Sequence, residues 1–141
     1  MEGSRFKLSL PLKAEYVSIA RLTVSGIANR AGFDFYAIED IKVSLSEVCN
    51  RLINDLERSE SQDEPILDIE FIILNDCLTI NFWIDNGPTG WALSMDADED
   101  EKLGLLIVQV LMDEFETNTD NGYIVSMMKE VTVDYSRLEN E

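Results

Sequence analysis

The spacing of apolar residues predicts a strand followed by two helices in the first half of the chain. Apolar and polar residues alternate over residues 5–10, as they do in a half-buried strand. Apolar residues then recur at helical spacing over residues 15–31 and again over residues 35–58. Gly32 provides a stop for the first helix, and Asp34 is the expected N-cap of the second.

The second half is predicted to contain a β-hairpin, a loop, a third helix and a second β-hairpin. The turn signals Asn75-Asp76 and Asp120-Asn121-Gly122 join the strands of the two hairpins. The predicted ranges are 66–74 and 78–84 for the first hairpin, 85–102 for the acid-rich loop, 103–112 for the helix, and 115–119 and 123–129 for the second hairpin. This order predicts one α+β domain over residues 1–141, a two-layer α/β sandwich with a mixed, mostly antiparallel sheet covered on one face by three helices.

Composition narrows the classes of partner. Hydrophobic residues make up 45% of the chain, which is enough for a core, and the formal net charge is −17. Such a charge disfavours direct binding to nucleic acid or anionic membranes and favours a basic protein partner, although solubility alone is an alternative explanation. The sequence has no apolar run of transmembrane length, and its first residues, MEGSRFKLSL, lack the apolar run typical of a signal peptide, so we expect a cytoplasmic protein.

The residue types available limit the chemistry. The chain contains no histidine, which removes imidazole bases and most zinc sites. Cys49 and Cys77 lie in apolar runs without metal-ligand spacing, so we expect reduced cysteines in the core.

Three features in the middle of the chain are, in this order, the parts of a nucleotide pocket. Glu47 lies on a predicted helix, Asp85 ends a strand before Gly87 and Gly90, and Gly104 lies near the start of an apolar helix. Glycines let the backbone approach a ligand, and a helix N-terminus attracts phosphate. Each motif alone is weak, because a solvent-facing glutamate or an ordinary Asp-Asn-Gly-Pro turn would look the same.

Five segments together resemble the anti-sigma factor/serine-protein kinase family (RsbW/SpoIIAB-like), which belongs to the GHKL superfamily and has the Bergerat, histidine-kinase-like ATPase fold. The segments are PLKAEYVSIARLTVSGIANRAGF, IEDIKVSLSEVCN, FWIDNGPTG, KLGLLIVQVLMDEFE and NGYIVSMMK. They cover nearly the whole chain in the family's order, which is more specific than any single motif.

The resemblance implies ATP and Mg²⁺ as cofactors and assigns roles to individual residues. Glu47 matches the catalytic glutamate, and Asp85 matches the aspartate that accepts a hydrogen bond from adenine. Gly87 and Gly90 would pass close to the base, and Gly104 would bind phosphate. The resemblance also implies a homodimer and two partners, a sigma factor and an anti-anti-sigma protein of the STAS type.

Several positions depart from the family pattern. Arg51 stands where the family has the asparagine that binds Mg²⁺, and Asn50, one residue earlier, is the remaining candidate metal ligand. A guanidinium has no acceptor, so Arg51 either contacts phosphate directly or marks the loss of metal-dependent catalysis. Lys102 replaces a glycine of the phosphate loop, where it would contact phosphate, but the acids between Asp96 and Glu101 would repel a triphosphate.

Three functions remain open at this point. The first is an anti-sigma-type regulator that binds its partner through protein–protein contacts, with weakened or lost ATP binding. The second is an active serine-protein kinase that uses Mg-ATP to phosphorylate an anti-anti-sigma factor. The third is an adaptor without a sigma partner.

Overall fold

A computed structural model describes residues 3–87, 93 and 98–132 as a two-layer α+β structure, which confirms the predicted fold class. A short 3-10 turn at Ala14–Tyr16 precedes the first helix. The strands and helices, in chain order, are β1 (Ser4–Pro11), α1 (Val17–Ala31), α2 (Phe35–Ser59), β2 (Ile66–Leu74), β3 (Cys77–Asp85), α3 (Glu99–Leu111), β4 (Glu114–Thr117) and β5 (Val125–Glu130).

The described strands form one five-stranded sheet in the order β1-β2-β3-β5-β4. All four pairings are antiparallel, so the sheet that the sequence predicted to be mixed but mostly antiparallel has no parallel pair among the described strands. The difference follows from the connections. Two helices connect β1 to β2, so β2 runs in the direction opposite to β1. Hairpins connect β2 to β3 and β4 to β5. The single helix α3 connects β3 to β4, but the neighbour of β3 in the sheet is β5, which runs opposite to β4.

The core lies between the sheet and the helices. On one sheet face, Phe71 of β2 and Phe82 of β3 are fully buried. They pack in one cluster with buried side chains of α1 and α2, among them Val24 and Leu45. Because side chains alternate along a strand, the other face carries the intervening, mostly polar residues.

Local signals read from the sequence explain most element boundaries. The Asp34 carboxylate accepts a 2.8 Å hydrogen bond from the Ala37 amide and caps α2, as predicted. Gly32 has φ 100°, a left-handed conformation that ends α1. Asn75 and Asp76 both have positive φ, as the type I′ two-residue hairpin turn requires.

Helix α3 begins at Glu99, four residues before its predicted start, so the loop prediction was wrong for residues 99–102. The Asp98 carboxylate accepts a 2.8 Å hydrogen bond from the Glu101 amide and caps the helix. Three acids in the first turn are favoured by the positive end of the helix dipole. Residues 88–92 and 94–97 of the predicted loop, Gly90 among them, lie outside the described part of the chain.

No helix within the described ranges is both long enough and apolar enough to cross a bilayer.

Candidate functional site

Glu47 and Gly104 come together where α2 meets α3. Glu47 is half-buried near the middle of α2, and Gly104 is buried in α3. A Cβ atom added at Gly104 would lie 2.5 Å from Oε2 of Glu47. The glycine therefore leaves open the space that the Glu47 carboxylate occupies, and a side chain at this position would displace that carboxylate.

A cleft of about 290 Å³ lies beside this contact, at the small end of the range of roughly 300–1,000 Å³ typical of ligand sites. The exposed Asn50 is one of its lining residues. The complete lining is Glu47, Asn50, Arg51, Asn54, Asp98, Asp100 and Glu101. Four carboxylates and one guanidinium line the cleft, so its own charge opposes a polyphosphate.

Arg51 is a buried charge held by two carboxylates. The residue is 5% exposed. Its Nε atom lies 3.3 Å from Oδ1 of Asp55, one turn along α2, and 3.7 Å from Oε2 of Glu101 in α3. A buried guanidinium requires such partners, because desolvation of an unpaired charge is costly.

Arg58 completes this arrangement by donating hydrogen bonds to both Asp55 and Glu101. The hydrogen bond to Glu101, together with the charges of the two carboxylates, raises the pKa of Arg58 above its ordinary value. We call these four residues, Arg51, Asp55, Arg58 and Glu101, the α2–α3 ion-pair cluster. The cluster is charge-balanced and joins α2 to α3.

The groups at the expected metal position do not fit Mg²⁺. This hard cation takes oxygen ligands, and the Arg51 guanidinium offers only donors and a positive charge. The described residues contain no group of three or more acidic, cysteine or histidine side chains arranged to hold a metal ion. The Asn50 amide oxygen is the one ligand that the sequence proposed here.

The helix terminus expected to bind phosphate is engaged by the chain itself. The Asp98 carboxylate accepts a hydrogen bond from the Glu101 amide, which is one of the N–H groups that could otherwise donate to a bound anion. Lys102 is exposed in the same turn, and its backbone amide donates a 3.0 Å hydrogen bond to the Asp98 carbonyl.

Asp85 does not share this cleft. It pairs with Ile66 at the end of β3, and its side chain lies near Asp68, whose cross-strand partner is Trp83. These residues occupy the sheet face away from the helices, while the preceding Ile84 packs against the core. Gly87 follows a left-handed turn at Asn86, which has φ 57°, and is the last described residue before the gap.

Sequence reasoning missed the ion-pair cluster. Its α2 members are spaced i, i+4 and i+7, so Arg51, Asp55 and Arg58 were readable as a helical ion-pair series. Glu101 comes from a segment interpreted as loop, and no local pattern showed that it would meet α2.

The comparisons with known proteins agree with the fold. The sequence profile of the histidine kinase-like ATPase domain matches residues 10–129. The serine-protein kinase RsbW of Listeria monocytogenes is 36% identical over 139 aligned residues, which cover 89% of this chain and 86% of that protein. The protein of the same name from Bacillus pumilus is 33% identical over 135 residues, which cover 87% of this chain and 83% of that protein. The one from Bacillus cereus is 32% identical over 137 residues, which cover 89% of this chain and 84% of that protein. The chain therefore belongs to the histidine kinase-like ATPase domain family, among the relatives of the serine-protein kinase RsbW.

Proposed function

We propose that this protein is a cytoplasmic, anti-sigma-factor-like regulator of transcription that binds its partner by protein–protein contact and has weakened or lost ATP binding. The observation that carries the proposal is the α2–α3 ion-pair cluster. It uses the metal position and the first turn of α3 for contacts within the chain, where a nucleotide-binding relative would need ligands for Mg²⁺ and phosphate.

The electrostatics of the cleft support the loss of affinity. A triphosphate would meet Glu47, Asp98 and Asp100 and would have to break the contacts of Glu101 with two arginines. Mg²⁺ normally reduces such repulsion, but Arg51 offers it no oxygen. The cofactors ATP and Mg²⁺, which the family relation makes plausible, therefore bind this chain weakly in our proposal.

The choice of partner rests on charge and on the relatives. A net charge of −17 favours a basic surface, because complementary charge accelerates encounter and rejects like-charged proteins. We propose a sigma factor as this partner, an anti-anti-sigma protein as a competing one, and a homodimer as the assembly.

An active serine-protein kinase is the second candidate, and one observation favours it. Glu47 retains the close contact with Gly104 at the edge of the cleft, which is where a general base would need to be. In this case the ion-pair cluster would have to open when nucleotide binds.

Calorimetric titration of Mg-ATP and Mg-ADP into the purified protein separates the two candidates. We expect no saturable binding in the micromolar range, and we expect the protein to bind a sigma factor of its own organism equally well with and without nucleotide. Arg51→Asn, which replaces the guanidinium with an oxygen ligand, is expected to increase any Mg²⁺-dependent affinity.

Micromolar, Mg²⁺-dependent binding by the unmodified protein would overturn the proposal and support the kinase. The next variant would then be Glu47→Ala, which should remove phosphotransfer and leave nucleotide binding in place. Exposed Glu57→Gln on the same helix is the matched control for the loss of one carboxylate.

A further inference from the structure

Helix α3 exposes a stripe of large apolar side chains. Leu103, Leu106 and Val110 are 55%, 53% and 82% exposed. Their spacing of i, i+3 and i+7 places them on one face of the helix. We call these three residues the α3 stripe.

The opposite side of α3 is also apolar. Gly104, Val108 and Met112 are buried against the rest of the domain. A surface helix normally has one apolar face and one polar face, whereas a helix that is apolar on both sides is normally buried on both. The sequence of α3 is therefore typical of a helix that packs against its own domain on one side and against another molecule on the other.

Carboxylates lie at both ends of the stripe. Glu99 and Asp100 are exposed in the first turn of α3, and Asp113 and Glu114 are exposed just beyond its last residue. Lys102 is the only base in the helix, and the last turn has none. The negative end of the helix dipole adds to the charge at the C-terminal side.

These charges select the kind of molecule that covers the stripe. A second copy would bring acids against acids at both ends, whether the two helices run parallel or antiparallel, and like charges at this distance repel. An anionic membrane surface would be repelled in the same way. A partner with bases at its ends satisfies both the apolar stripe and the acids.

We infer that the α3 stripe is a docking surface for an amphipathic, basic helix of another protein. Such a helix presents apolar residues at i, i+3 and i+7 and lysine or arginine near each end. At about 1.5 Å per residue, the stripe is about 10 Å long and the flanking acids are about 20 Å apart. The stripe residues are not among those lining the cleft, so the inference holds whether or not the cleft binds nucleotide.

The test uses a designed peptide and isotope-labelled full-length protein. A peptide of about 18 residues, long enough to span the flanking acids at about 1.5 Å per residue, carries a leucine spine and terminal lysines. A scrambled peptide of the same composition has no spine. Amide chemical shifts are recorded while each peptide is added to the protein, to its Leu106→Ser/Val110→Ser double variant, and to Leu22→Ser. Leu22 is a matched control, because it is 75% exposed on α1.

We expect saturable shifts concentrated in α3 with the designed peptide. The double variant should weaken binding by about tenfold or more, since two aliphatic side chains lose their burial. Leu22→Ser should leave binding unchanged, and the scrambled peptide should bind at least about tenfold more weakly for the same reason.

Three results would overturn the inference. The designed peptide fails to bind, the scrambled peptide binds equally well, or Leu22→Ser weakens binding as much as the double variant does. Sedimentation equilibrium supplies a further check. A dimer that the double variant dissociates would identify a second copy as the occupant instead.

Discussion

Asp68 is an almost fully buried carboxylate on the sheet face away from the helices, with 2% of its surface exposed. The Ser9 hydroxyl donates to its Oδ1, and the Lys7 ammonium lies 3.8 Å from the same oxygen. Its Oδ2 is buried as well. The side chain of Asp85 lies beside it, and a like charge at close range disfavours the ionised form of Asp85.

From this pair we expect a contribution of Asp85 to the free energy of unfolding that depends on pH and that Asp85→Asn removes. The hydrogen bond with Asp68, then desolvation and the charge of Asp68, raise the pKa of Asp85 above its ordinary value of 3.8, against smaller opposing effects of Lys7 and Trp83. The folded state therefore holds the proton more tightly than the unfolded state. This term favours folding at low pH and is lost as the pH rises from 3.8 through the raised pKa.

We therefore expect Asp85→Asn to raise the melting temperature relative to the unmodified protein at pH 7, and the gain to shrink as the pH falls toward 3.8. Thermal unfolding of both proteins across this range gives the difference. Glu116→Gln, which removes an exposed acid from the same sheet face, corrects for the general relief of negative charge. An equal gain for both variants at every pH would contradict the carboxyl pair.

The same residue shows where sequence reasoning stopped. The sequence correctly placed Asp85 at the end of a strand, but the face it occupies depends on the parity of the position. Side chains alternate with a period of two, so a shift of one residue moves an aspartate from the helix-covered face to the other. Along β3, Phe82 and Ile84 alternate with Asn81 and Asp85, so the pattern indicates the face away from the helices for Asp85, and its assignment to the pocket did not use that pattern.

At the scale of elements, Gly104 leaves room for the Glu47 side chain where α2 meets α3. An interior glycine costs a helix up to about 1 kcal/mol relative to alanine. The added Cβ of Gly104→Ala would lie 2.5 Å from Oε2 of Glu47, which is the far end of a flexible side chain. The glutamate can rotate away, but the move removes it from its position in the cleft.

Alanine favours the helix over glycine by up to about 1 kcal/mol. We expect Gly104→Ala to raise the free energy of unfolding by less than this amount in the unmodified protein, because Glu47 must move. In a Glu47→Ala background we expect the increase to approach the full amount, about 1 kcal/mol. Urea unfolding of the two single variants and the double variant measures the coupling between the positions. Strictly additive effects would show that the two groups do not touch.

Element boundaries could be predicted wherever a local signal marks them. Asp34, Gly32 and the two asparagine-containing turns lie close to where the sequence placed the ends of helices and hairpins. The start of α3 could not be predicted, because its acids look like a solvated loop. The Asp98 cap and the contacts of Glu101 with α2 make them helical, and the second of these depends on tertiary structure.

At the scale of the whole molecule, charge imbalance is the dominant feature. The chain has 28 acids and 11 bases, so most carboxylates have no base to pair with. The ion-pair cluster concentrates two of these bases between α2 and α3, and on the outer sheet face Arg5 pairs with Glu70 and Lys7 with Asp68. The rest of the surface repels itself, which opposes the compact state.

Self-repulsion predicts that salt stabilises this protein. Raising NaCl from about 0.01 M to about 0.15 M shortens the screening length from about 30 Å to about 8 Å, which removes most repulsion between distant surface charges. The buried pair of Arg51 and Asp55 is screened much less, so its attraction remains.

We expect the melting temperature to rise with NaCl at pH 7, where the net charge is −17. We expect this rise to be smaller near pH 4.1, where the sequence carries no net charge. Calorimetric melting at both pH values measures the two salt slopes. A melting temperature that falls with salt at pH 7 would mean that attractive ion pairs, and not repulsion, dominate the electrostatics of the fold.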